Sequence, residues 1–381
     1  MRRQLFKISW MKKGSLRLSV FLLLISVLSI VACEEIIEFN TENKGGDIVI
    51  FGRMTDGLEG NRVTVSVTSP FDRPPIPIEF ADVILYDEDG NNEVFQELEP
   101  GIYEPQSLTL ERTAGKSYYL EVCTPNGNKY RSVIEKMPRS VSRDSAYFNV
   151  ETIRFNTDES FEVEETIINV LLDADIDRDA GQQVFLRWEV EEVYSLQEVM
   201  LPPRKFPLWG WKTCYVINPV DAQKFFLFNG NDFQNNQLKG ISLAERPLDE
   251  TFAANHYFNV IGYSLSFESF DYWNKVSQLT NRVGSIFDAP PATLPSNISN
   301  VEDLNEVIYG HFEVVTSDTS RILVTKNDIP VVFDGPCVVP PEIDEIPINC
   351  FSCLDSIFAL NQECLNCLIL KNSSLVRPDY F

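Results

Sequence analysis

Cysteine is the residue type whose spacing indicates chemistry most clearly in this sequence. Near the end of the chain ten residues separate two Cys-x-x-Cys pairs. Four thiolates at such spacing could hold a tetrahedral zinc ion, but in an exported protein disulfides are favoured. We therefore predict no metal site and expect disulfides, of undetermined connectivity, among Cys214, Cys337, Cys350, Cys353, Cys364 and Cys367.

The preference for disulfides over zinc depends on export, and the N-terminus contains the export signal. Residues 1–32 contain six basic residues and no acid, and they end in an apolar run, 20–31, followed by Ala32. The run is too short for a spanning helix, which needs about 20 apolar residues. It is typical of a signal peptide, and Ile30-Val31-Ala32-Cys33 matches a bacterial lipobox. We predict cleavage before Cys33 and lipidation of that residue; an ordinary secretory signal is the alternative.

The residues after the lipidation site indicate where the anchored protein faces. Glu34 and Glu35 follow directly, which is typical of lipoproteins exported to the cell surface, although enterobacteria retain such sequences at the inner membrane. We expect an outer-membrane, lipid-anchored protein that faces the cell surface. Residues 33–46 are polar and end in Gly45-Gly46, so we interpret them as a tether.

Once Cys33 is lipidated, seven cysteines remain, and an odd number leaves at least one thiol free or paired between chains. Cys123 lies in an alternating, strand-like run. We therefore predict that Cys123 is the free thiol and that it is buried.

Net charge argues against nucleic acid as a partner. The chain has 56 acidic and 32 basic residues among 381, a net charge of -24. Loss of the six cationic leader residues makes the remainder -24 - 6 = -30. Nucleic-acid binding depends on Lys and Arg, so we expect neutral or cationic partners instead.

The sequence contains little that predicts catalysis. Its two histidines, His256 and His311, lie in aromatic, strand-like runs, where a structural role is expected. We find no Gly-x-Ser-x-Gly elbow, zinc-protease motif, phosphate loop or dinucleotide fingerprint. The sequence therefore predicts neither an enzyme nor a cofactor, although two carboxylates could still perform glycosidase chemistry.

One aromatic segment is a candidate binding surface. Phe206, Trp209 and Trp211 lie in a predicted loop that is entered by Pro202-Pro203. They could form a platform for a sugar or a protein partner, and packing within the loop is the equally plausible alternative.

The elements that would position these residues are mainly strands. Residues 47–138 alternate in short runs separated by turn signals such as 89–91, which predicts an antiparallel immunoglobulin-like β-sandwich. Residues 139–335 predict a larger, mostly antiparallel β domain with one helix near 270–283. Residues 336–381 predict a Cys-rich tail that is held by disulfides.

Several different short motifs follow one another along the whole mature chain. They are Cys33–Glu38, Tyr86–Asn91, Gly115–Val122, Phe185–Trp188, Tyr309–Phe312 and Arg377–Phe381. Together they resemble the DUF4249 family of Bacteroidota outer-membrane lipoproteins. The resemblance implies a surface lipoprotein of unassigned activity that accompanies TonB-dependent receptors.

The leading hypothesis for function is therefore an accessory binding or docking subunit of a TonB-dependent receptor or another outer-membrane complex. The second hypothesis is an envelope scaffold or adhesin-like protein without a transport role. The third is a glycan hydrolase.

Overall fold

The structure is a computed structural model. It describes residues 46–70, 73–156, 162–179, 182–198, 212–221, 225–232, 235–280, 294, 296–337 and 361–381. All of them belong to one compact unit, Gly45–Phe381. The predicted fold class is confirmed, because the chain is mainly β, with mostly antiparallel strand pairs, a helix and a disulfide-bonded C-terminal region.

The strands of the first half are β1 (Ile48–Met54), β2 (Arg62–Val67), β3 (Ile76–Pro77), β4 (Asp82–Asp87), β5 (Asn92–Glu99), β6 (Ile102–Glu104), β7 (Ser117–Cys123), β8 (Lys129–Ser132) and β9 (Glu135–Lys136). The second half contains β10 (Ser142–Asn156), β11 (Glu162–Ile176), β12 (Phe185–Gln197), β13 (Thr213–Pro219), β14 (Phe226–Asn229), β15 (Gln237–Pro247), β16 (His256–Ser264), helix α1 (Phe267–Thr280), β17 (Ile298–Asn300), β18 (Ile308–Tyr309), β19 (Phe312–Val314), β20 (Thr316–Val324), helix α2 (Gln362–Leu365) and β21 (Ser373–Ser374).

The first sandwich arises from strict alternation of apolar residues. Strand β1 buries every second residue, as does β4, so each strand presents one apolar face. Strand β5 pairs with β4 in one sheet and with β6 in the other, and thereby joins the two sheets. Their inner faces meet in one core that contains Ile50, Val63, Leu85 and Leu120.

The chain returns to the first sandwich after completing most of the second. Strand β19 runs parallel to β1, with Gly52 opposite Phe312, and β17 pairs with β8. The alternation predicts one continuous strand over 307–316, but Gly310 interrupts it with a φ of 97°. A Cβ at Gly310 would lie 2.0 Å from the carbonyl oxygen of Ile50, so only glycine fits this close approach.

The second sandwich is formed by two further sheets. One has the order β10-β11-β15, and the other β20-β16-β12-β13-β21 with β14 also paired to β12. They enclose a second core that contains Ile168, Trp188 and Phe258. The Trp188 Nε1–H donates to Asp144 Oδ2 at 2.6 Å, which satisfies the indole inside the sandwich.

Helix α1 covers the end of the second sandwich near the first. It begins at Phe267, three residues before the prediction, and its described part ends at Thr280. Phe270 and Trp273 pack on a small cluster that includes Phe185 and Tyr263. The apolar residues that recur at helical spacing along α1 therefore form a packing face. Among the described residues, no helix is long and apolar enough to cross a membrane.

One disulfide attaches the C-terminal segment, residues 336–381, to the second sandwich, and a second disulfide joins two residues within that segment. Cys214 on β13 bonds to Cys367, and Cys337 bonds to Cys364. Strand β21 also pairs with β13 beside the first of these bonds. The remaining predicted candidates, Cys350 and Cys353, lie outside the described residues.

Cys123 makes no disulfide within the described part of the chain. It ends strand β7 and is half-buried, so it is more accessible than the fully buried thiol that the alternation predicts.

Candidate functional site

The predicted anchor and aromatic platform lie outside the described residues. This holds for Cys33, Glu34 and Glu35 at the N-terminus, and for Phe206, Trp209 and Trp211 in the segment that precedes β13 in the sequence. Lipidation, surface export and aromatic binding therefore stay predictions. The described residues instead present a buried charged cluster where the two sandwiches meet.

Glu313 on β19 is the centre of this cluster. Its side chain is 0% exposed. Arg187 on β12 donates to both of its oxygens, at 3.1 and 3.0 Å, and Arg53 on β1 donates at 2.7 Å. The Trp273 Nε1–H donates to Oε2 at 2.7 Å. One carboxylate therefore receives donors from three elements other than its own strand.

Glu189 on β12 balances the second positive charge. Its Oε1 lies 3.1 Å from Arg187 Nε and 3.2 Å from Arg53 Nη2. The Tyr263 hydroxyl accepts from Arg53 at 2.9 Å, and both guanidinium groups lie over its ring, 4.5 and 4.9 Å from the centroid. Two arginines and two glutamates therefore neutralise each other, with Arg187 and Glu313 fully enclosed and Arg53 and Glu189 partly exposed.

Electrostatics fix the charge state of Glu313. Burial alone would raise the pKa of its carboxyl, but Arg187 and Arg53 outweigh that effect and hold the pKa far below its usual range. The carboxylate is therefore ionised at neutral pH. Because Arg53 and Glu313 belong to the first sandwich, and Arg187 and Glu189 to the second, the cluster joins the two.

A cleft of about 420 Å³ opens beside this cluster. One wall is the loop after β1, and the other is formed by β16 and β20 of the second sandwich. Its lining residues are Thr55, Gly57, Leu58, Glu59, Gly60, Ile261, Tyr263, Ser317 and Thr319. Ligand sites occur preferentially at such interfaces, so this cleft is the candidate binding site.

The loop that forms the first wall is fixed by its own hydrogen bonds. Asn61 Nδ2 donates to the carbonyl oxygens of Gly57 and Leu58, both at 2.7 Å. Thr55 donates to Glu59 O at 2.7 Å, and Arg112 donates to Gly57 O at 3.0 Å. The loop carbonyls are therefore used internally, and the wall is preorganised rather than open to rearrangement.

Asp56 holds this loop against the second sandwich. Its Oδ1 accepts the backbone N–H of Ser317 on β20 at 2.9 Å. Tyr263 forms an aromatic wall, Ser317 and Thr319 supply hydroxyl groups, and Leu58 is half-exposed at the mouth. Glu59 is the one charged lining residue, so the cleft suits a neutral or cationic ligand.

A second cavity, of about 510 Å³, lies at the other end of the second sandwich, where Phe381 meets Ser195, Asn255 and Lys326. Phe381 packs there on Tyr257 and Tyr215, with ring centroids 5.2 and 5.0 Å apart. It involves only the second sandwich and the C-terminal segment, and its aromatics serve to attach that segment.

One serine–histidine pair has the separation of a nucleophile and its base. Ser269 Oγ lies 3.1 Å from His311 Nε2. Both residues are buried, the imidazole stacks on Tyr272, and its Nδ1 has no hydrogen-bond partner in the described part of the chain. Burial lowers the pKa of His311 to about 4. Without access or an orienting acid, the pair supports packing at the junction.

Two carboxyl groups near the junction differ in pKa as a glycosidase pair does. Burial raises the pKa of Glu135 to about 7, with Glu268 and Glu313 adding to the effect, whereas Glu313 is held ionised. Glu135 is buried and Glu313 is fully enclosed. A sugar cannot reach both, so this pair does not form a hydrolase site.

His256, the other histidine, is also enclosed. Its ring stacks on Phe252 with centroids 3.9 Å apart, and Nε2 lies 3.2 Å from Glu192 Oε2. No group of three or more His, Cys, Asp or Glu side chains within the described ranges is arranged to hold a metal ion.

Sequence reasoning missed the charged cluster. Arg187 and Glu313 lie within the apolar runs Phe-Leu-Arg-Trp and Phe-Glu-Val-Val. One basic and one acidic residue, each inside an apolar run, could have indicated a buried ion pair. Their pairing joins residues 126 positions apart, which no local pattern reveals.

Taken together, the fold and the junction define a mainly β, two-sandwich protein with a preorganised cleft and disulfides in its C-terminal region. A family model described as "Domain of unknown function (DUF4249)" matches residues 34–321. The chain therefore belongs to the DUF4249 family. Neither a curated protein nor a solved structure matches the chain significantly.

Proposed function

We propose that this protein is a surface-exposed outer-membrane lipoprotein of a Bacteroidota species that serves as an accessory binding or docking subunit of a TonB-dependent receptor. The N-terminal signal, the lipobox at Cys33 and the acidic Glu34-Glu35 pair support the anchor and its placement. The polar tether before β1 supports a binding module held at a distance from the membrane.

The cleft between the two sandwiches is the observation that carries the binding role. Its two walls come from different sandwiches, and the Glu313 cluster fixes their relative position. A preorganised cleft loses little conformational entropy on binding, which favours recognition of a small or extended cargo. Its lining offers an aromatic surface, hydroxyl groups and one carboxylate.

The enclosed polar groups favour binding over catalysis. The serine–histidine pair and the Glu135–Glu313 pair are inaccessible to a substrate. Their burial at the junction is explained by their contribution to the packing of β19 and α1 against the neighbouring strands.

The test is native affinity purification of the lipidated protein from outer membranes of its own host, with a Cys33→Ala variant as the unanchored control. The proposal predicts that a TonB-dependent β-barrel is recovered with the wild type and depleted with the variant. Recovery of the protein alone from both samples would contradict it. A deletion strain that takes up nutrients normally would favour the envelope-scaffold alternative.

A further inference from the structure

An exposed, strained aromatic residue marks a second surface on the first sandwich. Phe80, just before β4, is 81% exposed and has a φ of 59°. A bulky side chain rarely adopts positive φ, and a solvent-exposed phenylalanine gains nothing from burial. A strained residue persists only where its surroundings determine its conformation.

Two side chains fix the backbone around Phe80. The buried Tyr103 hydroxyl accepts the Ala81 N–H at 2.9 Å and donates to the carbonyl oxygen of Ile78 at 2.8 Å. The Glu97 carboxylate accepts the Phe80 N–H at 2.8 Å and the Gly101 N–H at 2.9 Å. The backbone of the segment is therefore held from both sides, and the aromatic side chain is directed to solvent.

Phe80 continues an exposed apolar row on the outer face of the sheet. The register pairs Val83 with Phe95 and Ile84 with Val94. Continued three residues beyond Val83, it brings Phe80 level with Leu98, with Gln96 between Leu98 and Val94 on the same strand. Leu98 and Val94 are 53% and 58% exposed. Exposed apolar residues grouped around an aromatic side chain and edged by charged residues are typical of a protein-interaction site.

The charges around this row define its partner. Glu79, Asp82 and Glu99 are exposed beside Phe80 and Leu98, and none forms an ion pair with a described residue. An apolar pocket edged by Lys or Arg would complement this arrangement in both shape and charge.

We propose that Phe80, Leu98 and Val94, with the flanking Glu79, Asp82 and Glu99, form the surface by which this protein docks on its outer-membrane protein partner. The partner side is an apolar pocket rimmed by basic residues. This inference rests on the proposed function, because it names the contact surface of the same docking subunit and leaves the junction cleft free for cargo.

Site-specific photo-cross-linking in intact cells tests the surface directly. The full chain carries p-benzoylphenylalanine in place of Phe80 or Leu98, and controls carry it in place of the highly exposed Val332 or Leu304. We expect both surface positions to cross-link to one β-barrel protein, identified by mass spectrometry, and the controls not to do so. Equal cross-linking at the controls, or cross-linking to a second copy of this chain, would overturn the inference.

Variants separate docking from structural support. Phe80→Gly removes the ring and the backbone strain together, so the folded protein should melt at the same or a higher temperature. We expect the amount of partner protein recovered with this variant to fall by at least about tenfold. The same loss is expected for a triple variant with Glu79→Lys, Asp82→Lys and Glu99→Lys. Full recovery with either variant would contradict the assigned surface.

The two proposals can fail separately. If affinity purification recovers a β-barrel but positions 80 and 98 do not cross-link to it, the docking surface is wrong and the proposed function stands. If neither experiment recovers a β-barrel, both proposals fail.

Discussion

Replacement of Glu313 by glutamine tests whether the charged cluster determines the stability of the junction. The variant keeps the shape of the side chain but removes the charge that compensates Arg53 and Arg187. Removing one partner of a fully buried ion pair leaves uncompensated charge and costs about 3–5 kcal/mol. Total stabilities are about 5–15 kcal/mol, so the loss would be a large fraction of the whole.

The matched control is Glu164→Gln. Glu164 pairs with Arg154 on a solvent-exposed strand pair, with side chains 55% and 66% exposed. Exposed pairs contribute about 0–1 kcal/mol, so this variant should unfold nearly as the wild type does. Urea unfolding at neutral pH, followed by tryptophan fluorescence, measures both, and Trp273 contacts Glu313 directly.

The pH dependence of the Glu313 effect has a defined sign. The folded-state pKa of Glu313 is lowered, so its contribution is complete above the unfolded value of about 4.5 and declines as the pH falls below it. The difference between wild type and Glu313→Gln should therefore shrink from pH 5 downward. A loss below about 1 kcal/mol at pH 7, or one no larger than that of Glu164→Gln, would refute the role assigned to the cluster.

Three further changes test other parts of the fold. Cys214→Ser opens a bond that spans 153 residues, and it should cost about 2–5 kcal/mol in urea unfolding; an unchanged midpoint would contradict this. Glu135→Gln removes a carboxyl group whose pKa is about 7 in the folded state. Because the unfolded chain ionises this group more readily, the carboxyl destabilises the fold increasingly as the pH rises from about 4.5 to 7. The substitution should therefore stabilise the protein by about 1–3 kcal/mol at pH 8 and leave it unchanged at pH 4, and a gain of equal size at both pH values would contradict the assignment. Gly310→Ala places a Cβ 2.0 Å from the Ile50 carbonyl and should cost more than about 3 kcal/mol, whereas Gly127→Ala, with no atom within 4 Å, should cost about 1–2 kcal/mol in thermal melts.

Local patterns predicted the first sandwich well because each strand there alternates between a core face and a solvent face. Strand β4 buries Val83 and Leu85 and leaves Ile84 between them only partly buried, and the Asp87–Asn91 segment forms the predicted hairpin turn. Turn chemistry and alternation are both local properties, so they can be read without knowledge of the fold.

The sequence pattern does not predict strand β15, and the reason is physical. Its sequence, Gln237–Pro247, is polar and includes Gly240 with a φ of 63°. Its pairing with β11 contains two register shifts near Leu171 and Leu172, so the alternation is broken. The tertiary partner, rather than the local sequence, makes this segment a strand.

The junction could not be predicted because its partners are remote in sequence. Strand β19 pairs in parallel with β1, which lies some 260 residues earlier, and brings Glu313 to Arg53. Charged residues in strands are usually solvent-facing, and only the packing of the two sandwiches makes these interior. The surface at Phe80 was missed similarly, since exposure and positive φ are not visible in sequence.

The proposal that this protein is a docked binding subunit at the outer membrane can be tested by one measurement, the mass of the native complex that contains the lipidated chain after gentle detergent extraction. We expect a complex much larger than the 43.5 kDa of the chain with its leader, which contains a β-barrel partner and dissociates in the Phe80→Gly variant. A particle with the mass of a single chain, unaffected by that variant, would contradict it.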